Sequence, residues 1–277
     1  MKFTKMQGLG NDYIYINCTE ETVKNPTELA RRMSDRHFGV GGDGIVLILP
    51  WEEKGFEMRM FNSDGSEAEM CGNAARCVGK YLYDRGMTRE REILLKTGAG
   101  VKTLLITDRN GEAEKIRVDM GEPILDPVLI PVNWSGGNAT DVPVALGDRV
   151  FHATCVSMGN PHAVIFVEDA ESFDVHGIGA QIEKHALFPR KTNVEFVTVK
   201  DRTHLRMRVW ERGAGETMAC GTGACATLVA AVQRGLSERK AILELNGGPL
   251  TVEWNETTNR VEQEGPAAFV FDGDWNE

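Results

Sequence analysis

The strongest constraint on this chain is that it contains one pattern twice. An offset of 149 residues lays Met58-Arg59-Met60-Phe61 over Met207-Arg208-Val209-Trp210, Glu67 over Glu216, Cys71-Gly72 over Cys220-Gly221 and Ala75 over Ala224, all without a gap. The register also holds upstream. Gly10-Asn11 falls on Gly159-Asn160, and Leu29 and Met33 fall on Ile178 and Ile182, apolar at i and i+4 in both copies as one face of a helix requires. Downstream, Gly98 falls on Gly247; after a shortened connection, Arg117-Val118-Asp119 through Pro123 resembles Arg260-Val261-Glu262 through Pro266. Self-similarity this long implies two domains of one design.

Within each copy, strands alternate with helices. Tyr13 to Asn17, Ile45 to Leu49, Ala163 to Val167 and Val194 to Val199 are rich in β-branched and aromatic residues and read as strands. A helix is expected after each Cys-Gly pair, through Tyr83 and through Gln233. Pro131 to Gly147, with its glycines, asparagines and prolines, reads as an insertion or loop. Two similar α/β domains are therefore expected to face each other across a pseudo-twofold. The equivalent prolines Pro123 and Pro266 suggest that each copy ends by crossing over. The first domain is thus expected at residues 1–120 with 267–277 and the second at 121–266, Ala267 to Phe271 returning as a strand to the first.

Composition narrows the partners. The net charge of −10 argues against nucleic acid and anionic membrane, both of which attract basic surface. No apolar run approaches membrane-spanning length. The six cysteines include no Cys-x-x-Cys pair, and Met1 to Asn17 lacks the apolar run of a signal peptide, so free thiols in a reducing cytoplasm are expected. A small molecule remains as the expected partner. A homodimer stays open.

Two of the cysteines carry the chemistry. At the start of a helix the first backbone N–H groups point outward and the dipole favours negative charge. A cysteine placed there is expected to have its thiolate stabilised, from an ordinary pKa of about 8.5 downward. The same amides can hold a carboxylate; Gly72 and Asn73 in one copy and Gly221 and Thr222 in the other are the candidates. Inverting a stereocentre needs a base on one face and an acid on the other, and Cys71 and Cys220, alike and equivalent in register, meet that need in both directions when one is thiolate and the other thiol. The remaining cysteines have a plainer reading. Cys18 and Cys155 are expected as small buried hydrophobes. Cys77 and Cys225 are not equivalent, since the offset carries 77 onto Ala226, and are expected to pack. Neither Cys-x5-Cys nor Cys-x4-Cys has zinc-ligand spacing, so no metal is expected.

The chain also resembles a known family. Asn62-Ser63-Asp64-Gly65-Ser66, then Cys71-Gly72-Asn73-Ala74-Ala75-Arg76, looks like the first-cysteine signature of diaminopimelate epimerases. The likeness extends through Gly10-Asn11-Asp12, Arg36-His37-Phe38-Gly39, Gly159-Asn160-Pro161-His162, Thr192-Asn193-Val194-Glu195, Trp210-Glu211-Arg212-Gly213 and Ala219-Cys220-Gly221-Thr222-Gly223, nearly the whole chain. The resemblance implies an α/β (α+β) fold of two pseudo-symmetric domains, each a mainly antiparallel sheet around a central helix, with the active site in the interdomain cleft. It also implies interconversion of L,L- and meso-2,6-diaminopimelate without pyridoxal phosphate, metal or other cofactor, in lysine and peptidoglycan precursor synthesis. Such a substrate has an amino-acid group at both ends. Arg212 can fork onto its distal carboxylate, Asn11, Asn62, Asn160 and Asn193 can complete the hydrogen bonds, and Glu211 can accept from an ammonium. His162 needs no proton role where thiols suffice.

A proline-racemase type enzyme shares the paired thiols, but the four asparagines and Glu211-Arg212 suit a longer substrate with a second polar end. A thiol-redox protein would turn over peroxide or disulfide, and an amino-acid binding protein would have no use for sulfur at both helix starts. The two copies disagree at one position of interest: the offset carries Asn193 onto Gly44. By symmetry a side chain is expected to fit at Gly44 in space held by water, so that Gly44→Gln is tolerated; the plainer reading is a backbone need for glycine.

Overall fold

A computed structural model describes residues 1–51 and 55–276. The chain divides into two compact units, Met1–Asp119 with Glu264–Glu277, and Met120–Gln263. In chain order, the elements of the first stretch are β1 (Lys2–Gly8), β2 (Asn11–Asn17), α1 (Pro26–Ser34), β3 (Gly44–Trp51), β4 (Gly55–Asn62), β5 (Glu67–Ala68), α2 (Gly72–Asp84), β6 (Glu92–Thr97), β7 (Gly100–Arg109) and β8 (Glu112–Gly121). Then come β9 (Val142–Leu146), β10 (Arg149–Ser157), β11 (Pro161–Phe166), α3 (Val175–Glu183), β12 (Asn193–Asp201), β13 (His204–Glu211), β14 (Gly215–Glu216), α4 (Gly221–Gln233), β15 (Lys240–Leu245), β16 (Gly248–Trp254) and β17 (Val261–Gly265). The last strand is β18 (Ala268–Asp274).

In the first unit, β1 pairs antiparallel with both β2 and β18, and β3 pairs antiparallel with β4, β6 with β7 and β7 with β8. Among the described residues two of its pairs are parallel, β2 with β3 and β4 with β6. A parallel pair cannot be closed by a tight turn and needs a crossover. Helix α1 spans the first crossover and α2 the second. The second unit repeats the scheme: β9–β10, β10–β11, β12–β13 and β15–β16 are antiparallel, while β11–β12 and β13–β15 are parallel, spanned by α3 and α4. Each is a mixed, mainly antiparallel sheet with helices, as the family resemblance implied.

The duplication is kept to the residue in the middle of each unit. Helices α1 and α3, strands β4 and β13, and helices α2 and α4 each begin and end at positions related by the same offset of 149. Cross-strand partners follow it too, Tyr13 opposite Gly44 and His162 opposite Asn193. The expected apolar pairs are core residues: Leu29 and Met33 of α1 pack with Ile14, Ile16, Ile45 and Phe61, and Ile178 and Ile182 of α3 pack with Ile165, Val194 and Phe196. Local signals start these helices. Asn25 accepts from the Glu28 N–H ahead of Pro26, and Asp174 from the Gly177 N–H. Helices α2 and α4 are buried on nearly every face through small and apolar residues such as Ala74, Ala75, Val78 and Leu82, or Ala224, Ala226, Leu228 and Ala231.

Two expectations need correction. Within Pro131 to Gly147, Val142–Leu146 is a strand paired with β10, its Val142 and Val144 buried and its Pro143 and Ala145 exposed. The period-2 pattern is only five residues long and contains a proline, so the turn-rich composition before it masked the signal. Gly44, second, has no room for a side chain. A Cβ there would lie 2.0 Å from the Phe61 carbonyl oxygen, 2.7 Å from Tyr13 Cε1 and 3.0 Å from Asn62 Cα. Position 44 is squeezed between β2 and β4, and no water-filled space stands behind it.

Gly44→Gln is therefore expected to lower the melting temperature, and even Gly44→Ala should cost about 1–3 kcal/mol through forced separation of the strands. Denaturant unfolding of both variants checks this; wild-type stability in Gly44→Gln would mean that β3 and β4 part without penalty.

Candidate active site

In the first unit Cys71 is the N-cap of α2, with extended backbone (φ −139°, ψ 124°) and no hydrogen bond from its side chain to the first turn. Its thiol donates instead to Asn11 Oδ1, at 3.3 Å. Asn11 opens β2 and donates through Nδ2 to Asp43 Oδ2 at 2.7 Å. Asn73, in the first turn of α2, is buried, and its side-chain oxygen accepts from Arg76 Nη2 at 2.7 Å. Asn62 ends β4 and binds Ser66 twice, N–H to carbonyl at 2.8 Å and Nδ2 to Oγ at 3.1 Å, which shapes the turn ahead of β5.

The second unit has a longer chain of contacts. Cys220 caps α4 in the same extended conformation, 6% exposed, and the Gly223 N–H points at its sulfur from 3.4 Å. The sulfur lies 3.5 Å from Thr222 Oγ1, which accepts from Asn160 Nδ2 at 3.3 Å. Asn160 Oδ1 lies 3.0 Å from His162 Nε2, and His162 Nδ1–H donates to Glu195 Oε1 at 2.6 Å. His162 and Glu195 are both wholly buried. Gly223 makes the approach feasible: a Cβ there would stand 2.7 Å from Glu195 Oε1 and 3.2 Å from the Cys220 sulfur. At Gly221 a Cβ would meet Gln263 Oε1 at 2.8 Å, so the first residue of α4 is likewise closed to a side chain.

Sequence reasoning passed over Glu195 and Asp43. The signal for Glu195 was a carboxylate inside the apolar run Val194-Glu195-Phe196-Val197, where apolar neighbours on both faces of the strand mark a segment buried on both sides. Glu195 Oε2 has no hydrogen-bond partner among the described residues. Asn193 turns inward too. Its oxygen accepts the Arg212 N–H at 2.8 Å and its nitrogen donates to the Pro161 carbonyl at 3.1 Å, leaving one lone pair and one N–H for anything else. The Arg212 guanidinium is exposed and spends one donor on the Arg190 carbonyl, at 3.1 Å. Glu211, ending β13, accepts from the Thr217 hydroxyl.

Electrostatics corrects one expectation. Burial, then the Glu211 and Glu195 carboxylates, push the Cys220 thiol well above the ordinary range, against the opposing hydrogen bonds of Thr222 and Gly223. A helix N-terminus contributes about 0.3–1 kcal/mol, rising to ~2 in partly buried geometries. Removing an ion from water costs several kcal/mol, so desolvation wins and Cys220 rests as a thiol. Burial also raises Glu211, while hydrogen bonds from Thr217 and Cys220 and the nearby His162 act against it. Burial takes the packing thiols Cys77 to about 11 and Cys155 to about 12. Cys18, half-buried and near Glu21, is pushed to about 11. Among the described residues no group of three His, Cys, Asp or Glu side chains is arranged to hold a metal ion. Among the described residues no helix is long and apolar enough to cross a membrane.

Comparison with known proteins adds the following. The family model described as diaminopimelate epimerase matches residues 3–125 and 154–270. The diaminopimelate epimerase of Acetivibrio thermocellus is 60% identical over 274 residues, which is 99% of this chain and 98% of that protein. A counterpart of the same name from Methanococcus maripaludis is 55% identical, with 99% of each chain covered. Among solved structures, a probable proline racemase from Agrobacterium radiobacter is similar with a TM-score of 0.73 at 16% identity, over 99% of this chain and 92% of that one. A Bacillus anthracis phenazine biosynthesis protein of the PhzF family has a TM-score of 0.70 at 15% identity, over 99% and 98%. These two likenesses concern the fold.

Two outcomes are expected. Removing either partner of the buried His162–Glu195 pair strands the other, so His162→Ala and Glu195→Ala should each destabilise by about 3–5 kcal/mol, with the double variant costing much less than the sum; denaturant unfolding of the cycle checks this, and additive costs would mean the two do not act as a pair. The raised thiols set an alkaline limit. Folding keeps Cys77 and Cys155 neutral, so their contribution is fully present below the ordinary thiol pKa of about 8.5 and is lost as pH climbs through about 11 and about 12. Stability of Cys77→Ala, measured against wild type, should therefore decline less steeply between pH 9 and 11, to about the extent of one proton.

Proposed function

The chain belongs to the diaminopimelate epimerase family, and on that premise we propose that it interconverts L,L- and meso-2,6-diaminopimelate by passing the α-proton between two thiols, Cys71 and Cys220. One observation carries the reading. In two units built on one plan, helices α2 and α4 occupy equivalent positions and each starts at a cysteine N-cap followed by glycine, whereas no other cysteine has an equivalent. Duplicated scaffolds presenting the same acid–base group are what a reaction reversible at one stereocentre requires.

In this mechanism a thiolate removes the α-proton from one face of the carbon and a thiol returns a proton to the other. The second sulfur is left as thiolate, ready for the reverse direction. The substrate's α-carboxylate takes the outward N–H groups at Gly72 and Asn73 or at Gly221 and Thr222, where helix starts favour an anion. Those hydrogen bonds strengthen as the carboxylate gains carbanion charge, which lowers the barrier more than it tightens ground-state binding. Because burial keeps Cys220 protonated, it must lose its proton before acting as base, and the nearby Glu211 carboxylate is the local acceptor. The exposed Arg212 guanidinium suits the distal carboxylate. Asn11, Asn62, Asn160 and the remaining donor and acceptor of Asn193 complete the polar lining. No pyridoxal phosphate or metal enters these steps, and the reaction serves lysine and peptidoglycan precursor synthesis.

Proton NMR of L,L-diaminopimelate with the enzyme in deuterium oxide should show loss of an α-proton signal and growth of the meso form. Cys71→Ala and Cys220→Ala should each reduce turnover by about 10²–10⁴-fold or more with the fold intact, while Cys77→Ala and Cys225→Ala keep activity near wild type. Near-normal turnover by either of the first two would remove the two-thiol mechanism.

A further inference from the structure

The two register-equivalent asparagines beside the thiols are held by different chemistry. Asp43 sits just ahead of β3, where its N–H donates to the Asp12 carbonyl at 2.7 Å and its carbonyl accepts the Ser63 N–H at 2.9 Å. Its Oδ2 accepts from Asn11 Nδ2 at 2.7 Å and from the Asp12 N–H at 3.0 Å, and its Oδ1 accepts from Arg36 Nη2 at 3.0 Å. An ionised carboxylate only accepts, so Asn11 has to turn its NH2 toward Asp43 and its oxygen the other way. That oxygen faces the Cys71 sulfur. A carbonyl oxygen has no hydrogen to offer, so the sulfur must supply one; a thiolate there would set two acceptors face to face.

The other unit lacks this device. The residue equivalent to Asp43 is Thr192. Asn160 is held by His162 and Thr222, and the Cys220 sulfur receives the Gly223 N–H. Cys71 makes no such bond to its own first turn.

We infer that Asp43 is a positioning residue that pins the Asn11 carboxamide with its oxygen toward Cys71 and so keeps Cys71 in the protonated, proton-donating form before substrate binds. This rests on the two-thiol reading and goes further, naming the group that sets the protonation of one thiol. Asp43 is flanked by the charged pairs that Asp12 makes with Lys5 and Arg36. Cys71 is flanked by Tyr15 and Cys77, both pushed by burial toward their neutral forms.

The test is the pH dependence of Cys71 alkylation by iodoacetamide, read by peptide mass spectrometry on wild type, Asp43→Asn, Asn11→Ala and the double variant. An asparagine at 43 can present either end of its amide, so Asn11 is released to turn its NH2 toward the sulfur. The midpoint for Cys71 is expected to fall by about one pH unit in Asp43→Asn, equivalent to roughly tenfold faster labelling at pH 7. Asn11→Ala should also lower it, and in that background Asp43→Asn should add less than half its effect in wild type. A wild-type midpoint in Asp43→Asn overturns the inference, as does an undiminished shift without Asn11, which would reduce Asp43 to its charge alone. Cys77, buried, serves as the folding control. If Asp43→Asn exposes it to alkylation, the sign of the Asn11→Ala shift decides, since a raised midpoint would mean that Asn11 donates to a thiolate. These outcomes do not depend on turnover. Protein alkylated only at Cys71 and still epimerising would remove the two-thiol reading itself and leave the Asn11 geometry standing.

Discussion

Burial of a crossover helix between parallel strands is the constraint on which the rest of each unit depends. Strands β4 and β6 run parallel, as do β13 and β15, and only a crossover can join such pairs. The helix that makes the crossover is enclosed on nearly every face, so its axis and starting point have no freedom. The cysteine therefore inherits its position from the core. It sits at the N-cap, in extended conformation, where the chain turns from the short strand β5 or β14 into the helix. Glycine follows because, at least at Gly221 and Gly223, a Cβ would collide with neighbouring polar side chains.

On that shared scaffold the polar residues have diverged. Tyr13, Gly44 and Val46 of the first unit correspond to His162, Asn193 and Glu195 of the second. Val46 needs no partner in the interior, whereas Glu195 does, and His162 supplies it from the neighbouring parallel strand. One copy thus surrounds its thiol with an amide fixed by a half-buried acid. The other surrounds it with a hydrogen-bonded His162–Glu195 pair in the interior and a second, half-buried carboxylate, Glu211. A backbone plan can be copied without copying electrostatics, because the hydrogen-bond ladder is indifferent to side chains while a charge is governed by what lies within a few ångströms. Two cysteines that look interchangeable in sequence consequently differ in accessibility and in the partners of their sulfurs.

The offset of 149, the presence of four helices, the apolar pairs at Leu29–Met33 and Ile178–Ile182, and the equivalence of Cys71 with Cys220 were legible in the amino-acid order. Each depends on periodicity or on local backbone need, which a linear string carries. The tertiary structure decided what such a string cannot hold. Gly44 has no space because the Phe61 carbonyl approaches from the adjacent strand; Asn193 is largely consumed by Arg212 and Pro161; Glu195 meets His162 across 33 positions; and burial outweighs the helix start at Cys220. All of these are consequences of which atoms become neighbours and how far water is removed from them, and both quantities exist only after the chain has closed on itself.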